Sequence, residues 1–109
     1  MKEKVRVLVL SPGEEPKEKW ILPTHEILCT IVGGEITTSN PLDDGTVIIS
    51  SDTVDIDEEP SRVLRNSRGQ IVARFRGTII VAGLYMEQHE LDSLTDAEIK
   101  YVKERLEKV

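Results

Sequence analysis

A chain of 109 residues with 39% apolar side chains is long enough to bury one core, and its formal net charge of -6 disfavours non-specific attachment to DNA or anionic membrane. With one Trp, one Phe and two Tyr the core is aliphatic, and aromatic platforms for stacking single-stranded bases are scarce. The single cysteine, Cys29, rules out an internal disulfide and suits a reducing compartment.

The opening MKEKVRVLVL passes from charge directly into an alternating pattern, without the apolar helical stretch and small-residue cleavage site of a signal peptide. Ile79 to Met86 is the longest uncharged apolar run, well short of the roughly 18 residues of a membrane span. We therefore expect a single cytoplasmic domain over residues 1–109, with no membrane partner.

In chain order, Val5, Val7 and Val9 form one apolar face, and Leu8 and Leu10 make the opposite face apolar in its second half. Ser11-Pro12-Gly13 is a turn signal, and Trp20-Ile21-Leu22 closes a second strand, giving a loose hairpin over residues 4–22. Thr24 can cap a short helix carrying an Ile27, Leu28, Ile31, Val32 stripe, which Gly33-Gly34 ends. Glu35 to Ser39 reads as a strand, Asn40-Pro41 and Asp44-Gly45 as a turn, and Thr46 to Ser50 as a central strand apolar on both faces.

From Asp52 to Arg76 the signal weakens. Asp55-Ile56-Asp57 is compatible with extended backbone, Glu58 to Ser61 with a turn, and Ser67-Arg68-Gly69 with another. Ile71 to Phe75 begins a strand, Gly77 marks a bulge or close backbone approach, and Thr78 to Ala82 continues or restarts the strand before Gly83 ends it. Thr95-Asp96-Ala97-Glu98 is a capping box opening a helix whose stripe is Ile99, Val102, Leu106 and Val109. The expected fold is α+β: a mixed or mostly antiparallel sheet of about five strands with two helices, one on each face or with one face covered by a second chain.

VRVLVLSPGEEP, IVGGEI, LDDGTVIIS, FRGTIIVAG and SLTDAEIKYVKERL stand here in an order and spacing that resembles a bacterial family known as domain of unknown function 3846. PSRVLRN at residues 60–66 resembles, in altered residue order, the Asn-Arg-rich segment of that family. The resemblance implies an accessory protein of phages, plasmids or conjugative elements of Firmicutes. It implies no reaction.

Charge is segregated. Asp43 to Glu59 holds seven acids and no base, whereas Arg62, Arg65, Arg68, Arg74 and Arg76 follow with no acid between them. Arginine suits planar recognition of phosphate or carboxylate, so these five residues with Asn66 are the candidate anion-binding or partner-binding set. Ordinary surface pairing between the two segments is the plainer reading.

Acids from Asp52 to Glu59 do not meet the calcium-loop pattern from any of the starting positions Asp52, Asp55 or Asp57, and read as a solvated turn. His25 and Cys29 share a helical face and could make half of a zinc site, with His89 and an acid elsewhere, or a Cys–His nucleophile pair. Free cysteine is among the most buried residue types, so we read Cys29 as a core residue and expect neither metal nor cofactor. Gly33-Gly34 follows its helix, whereas a phosphate loop precedes one. Tyr85 to His89 reads as a connection lying either over a neighbouring subunit or on its own domain.

No triad, paired carboxylates or metal set stands at informative spacing, so an enzyme is not expected. The leading reading is a non-enzymatic protein-interaction domain acting on an unidentified protein partner, with homodimerisation left open and no direct nucleic-acid binding. The alternatives are a module binding a small anionic ligand, such as a nucleotide or phosphorylated metabolite, and an acidic nucleic-acid mimic.

Overall fold

A computed structural model describes residues 4–39, 45–51, 60–66, 68–85 and 90–108, apart from the side chains of Leu84, Tyr85 and Glu90. The acidic run 52–59, the turn 40–44 and the connection 86–89 lie outside the described residues, so the readings placed there are not taken further. The elements in order are β1 (Val5–Leu10), β2 (Lys17–Ile21), α1 (His25–Val32), β3 (Ile36–Ser39), β4 (Thr46–Ser51), β5 (Arg62–Arg65), β6 (Ile71–Phe75), β7 (Ile79–Tyr85), β8 (Glu90–Asp92), α2 (Asp96–Arg105) and β9 (Leu106–Lys108).

The fold is α+β with antiparallel strands, as expected, but its strands form two sheets. The larger runs β2-β1-β7-β4-β3, with β8 also paired to β7, and the smaller runs β6-β5-β9. Successive residues of a strand face opposite sides, so an unbroken apolar run feeds two cores at once. Ile79 and Val81 of β7 join Leu8, Leu10 and Ile48 on one side, while Ile80 and Ala82 join Val5, Val7, Val9, Val47 and Ile49 on the other. Leu28, Ile31 and Val32 of α1 close the second core. The first is closed by Ile99 and Val102 of α2 together with Leu64, Ala73, Phe75 and Leu106 of the small sheet. Each face of the large sheet thus has its own cover within one chain.

Thr24 caps α1 by accepting from the Ile27 amide, and Gly33 ends it at φ 94°, its N–H bonded to the Cys29 carbonyl. In α2 the capping box is complete: Thr95 Oγ1 accepts from the Glu98 amide at 3.1 Å, and Glu98 Oε1 accepts from the Thr95 amide at 2.9 Å. Thr95→Ala is expected to lower stability by about 1 kcal/mol, read as a fall in urea midpoint at unchanged slope.

Two expectations are corrected here. The C-terminal helix stops at Arg105: Leu106 takes extended angles (φ -99°, ψ 107°), stays buried, and starts a strand on β5. Pairing there satisfies backbone groups that β5 would otherwise leave open on that side. Gly83 does not end its strand either. It lies inside β7, opposite Thr46 of β4 and Asp92 of β8. Gly77, at φ 70°, sits in the link where the chain leaves the small sheet and restarts as β7 in the large one.

Candidate functional site

The six residues singled out between 62 and 76 are not assembled into one pocket. Arg62 opposes Phe75 and stands with Leu64 on the core side of β5, whereas Arg74 opposes Val63 on the other side. Arg62 is completely buried. Its guanidinium donates to the carbonyls of Ser61 (3.0 Å), Ser11 (3.2 Å) and Glu14, fastening the β1–β2 loop to the small sheet. Burial lowers its pKa, an effect that the charge of Glu15 opposes.

Arg65 points elsewhere, with Nε donating to Glu107 Oε2 at 2.9 Å and Nη1 to the Gly69 carbonyl at 2.7 Å. Asn66 is a turn former: its Oδ1 accepts from the Arg68 and Gln70 amides at 2.9 and 3.0 Å, and Gly69 supplies φ 79°. Arg68 and Arg74 are exposed, and Arg76 is half-buried. These residues divide between an internal clamp, a turn and a surface.

Among the described residues, open ground lies between β2 and α2. Antiparallel register sets Trp20 opposite Arg6 and Glu18 opposite Leu8, which places both β2 residues on the α2 side. Glu18, Asp96, Ile99, Lys100, Lys103 and Glu104 line a cleft of about 390 Å³. A second hollow of about 530 Å³ includes Glu15, Pro16, Lys103 and Lys108, with buried Arg62 at its back. Lys103 lines both, so the two adjoin as a trough beside α2 and β9, with Glu15, Pro16 and Glu18 also in its lining.

At one end of this trough Arg6 holds the start of α2, donating to the Leu94 carbonyl at 2.8 Å and pairing with Asp96 at 2.8 Å. At the other, Lys108 Nζ donates to Glu15 Oε1 at 2.6 Å, and that contact lowers the Glu15 pKa. Among the described residues β2 pairs only with β1, so its outer edge is open. Trp20, the one tryptophan of the chain, stands on that edge 60% exposed. Ile71 and Val72 on β6, also an edge strand, are exposed too, but neither lines either of these hollows, whereas Glu18 of β2 lines the first and the loop leading into β2 borders the second.

The sequence profile of the family described as Domain of unknown function (DUF3846) matches residues 4–107. The chain belongs to that family. Both sheets and both helices of this DUF3846 domain fall almost wholly within the match, which ends one residue before β9 does. No curated protein and no solved structure matches the chain. Among the described residues of the DUF3846 domain no helix is long and apolar enough to cross a membrane.

Exposed tryptophan on an edge strand is the feature that sequence reasoning missed. The alternation Lys17-Glu18-Lys19-Trp20 is polar until its last residue, so Trp20 read as the start of an apolar strand end rather than as a surface residue. The strand register that sets it opposite Arg6 rather than an apolar residue is not written in the local sequence.

Proposed function

We propose that this DUF3846 domain is a non-enzymatic protein-interaction module that takes an extended segment of a partner protein as an added strand on β2. The observation that carries this reading is Trp20, 60% exposed on an open edge strand beside the trough along α2. Main-chain hydrogen bonds to an open edge supply affinity, and side-chain pockets beside it supply selectivity. Tryptophan is enriched among residues that dominate binding energy, because it buries a large rigid surface.

The charged lining of the trough is mixed in sign, with Glu15, Glu18, Asp96, Glu104 and Glu107 beside Arg62, Lys100, Lys103 and Lys108. Such a lining suits a peptide better than a phosphate-bearing ligand, which would meet as many repulsive as attractive groups. The segment that fits has an apolar residue across from Trp20 and a basic one across from Glu18. This reading moves the contact surface from the arginine segment to β2. In a mobile element its partner would be a host or element protein, met in the cytoplasm, where the single thiol stays reduced.

The test is co-purification from the source cells with three tagged chains: unchanged, Trp20→Ala and Arg74→Ala. A partner retained by Arg74→Ala and weakened about 30-fold or more by Trp20→Ala supports the reading, since truncating a central anchor costs about 2 kcal/mol or more. The opposite pattern returns the site to the arginine segment. A sedimenting mass of two chains that Trp20→Ala reduces to one would make the partner a second copy.

A further inference from the structure

The sequence reading of Cys29 as a core residue does not hold: it is only half-buried and belongs to neither apolar cluster, whereas its neighbour Leu28 is buried in one. Its Sγ lies 3.3 Å from His25 Nε2. Residues four apart share a helix face, so this pair was legible in the sequence. Glu35 was not. Gly33, in the left-handed region, reverses the chain at the end of α1 and brings Glu35 back against the helix, where its Oε2 lies 3.6 Å from the same His25 Nε2. Sγ, Nε2 and a Glu35 carboxylate oxygen all fall within 4.8 Å of one another.

Both neighbours address one nitrogen. A Cys–His–carboxylate relay needs the two on opposite ring nitrogens, one taking a proton from the thiol and the other orienting the ring. Three donor atoms clustered within a few ångströms are what a metal ion requires. Around tetrahedral zinc, bond lengths of about 2.0–2.3 Å to nitrogen, oxygen and sulfur place donor atoms about 3.4–3.6 Å apart. The separations from His25 Nε2 differ from that by a few tenths of an ångström at most, and rotation of the exposed His25 and Glu35 side chains can close the third, which lies within 4.8 Å.

We infer that His25, Cys29 and Glu35 form a binding site for a divalent transition-metal ion of the zinc class. Thiolate with imidazole selects zinc or cobalt over calcium or magnesium, which take oxygen donors. Nε2 coordinates through its lone pair with the ring proton on Nδ1. Cys29 coordinates as thiolate, its proton passing to the solvent as the S–metal bond forms. Thiolate and carboxylate together offset the charge of the ion. Three protein donors leave a fourth position for water. Because His25 and Cys29 belong to α1 and Glu35 leads into β3, a bound ion ties the helix end to the edge of the large sheet.

Cobalt(II) titration of the full-length, untagged chain tests this. The unchanged chain is expected to show a thiolate-to-cobalt charge-transfer band in the near ultraviolet, with visible bands of tetrahedral intensity that zinc abolishes. Cys29→Ser is expected to lose the charge-transfer band. His25→Ala and Glu35→Gln alter side chains 69% and 73% exposed, so their folds should survive, and each is expected to bind at least about 10-fold more weakly. Circular dichroism checks the fold of each variant. No band from the unchanged chain at millimolar cobalt overturns the site, as does equal affinity in His25→Ala and Glu35→Gln, which would leave only a reactive thiol.

Discussion

Replacing Arg62 by alanine is expected to lower folding stability by about 4 kcal/mol, the sum of a large internal void and the loss of charge-assisted hydrogen bonds. In a domain of this size that is on the order of 15–20 °C in melting temperature. The guanidinium is completely buried and spans from its own strand to the Ser11 and Glu14 carbonyls, so its removal frees the β1–β2 loop from the central strand of the small sheet. Its Nε has no hydrogen-bond partner among the described residues, so stability comes from the two terminal nitrogens and from packing. Arg62→Met separates these contributions. If methionine matches arginine in a urea titration, volume alone matters and the carbonyl clamp adds nothing; the expected result is a loss of about 2 kcal/mol from acceptors left without donors.

Gly83→Ala should be the second large effect, at about 2–3 kcal/mol. A Cβ at this position would lie 2.9 Å from the Ser93 carbonyl oxygen and 3.0 Å from that of Asp92, both backbone atoms that cannot swing aside. Relief requires β8 to leave β7, which also loosens the chain leading into Leu94, whose amide bonds the Arg6 carbonyl. Thermal unfolding combined with amide exchange reads both parts, with faster exchange expected in residues 90–94. Gly34→Ala is the control. Among the described residues its Cβ would meet only Ser51 Oγ at 3.7 Å and its backbone lies outside the left-handed region, so the change should be neutral or stabilise by up to about 1 kcal/mol. Equal losses from both glycines would reject the close-approach explanation.

What could be read from the sequence follows where one local rule acted alone. Alternation in β1 and the unbroken run of β4 placed those strands centrally, because their residues feed two cores; β7 was read as a strand, without its central place. Thr24 and Thr95 marked helix starts, because a capping hydroxyl works within one turn. Of the small sheet only β6 was legible, as the strand Ile71 to Phe75; β5 and β9 escaped because long-range contacts overrode local signals. In β5 a buried arginine takes a core position, so Arg62-Val63-Leu64-Arg65 shows no apolar alternation. In β9 the chain leaves a helix without a glycine or proline to stop it, drawn by the unpaired edge of β5.

The candidate sites divide the same way. Composition drew attention to the arginines, yet one is an internal clamp and another braces Glu107. His25 and Cys29 showed their helical spacing, while Glu35 joined them only through the turn at Gly33.

The position of β7 also sets the order in which this chain can fold. It lies between β1 and β4, yet follows both in sequence. The β1–β2 and β3–β4 hairpins can close early from nearby residues, but they touch no common strand until β7 enters between them. Until then each carries an apolar, unpaired inner edge. Closing such distant pairings costs chain entropy before any contact repays it, so the entry of β7 is the expected slow step. During synthesis that interval is when two half-built sheets are open to mispairing with each other or with neighbouring chains.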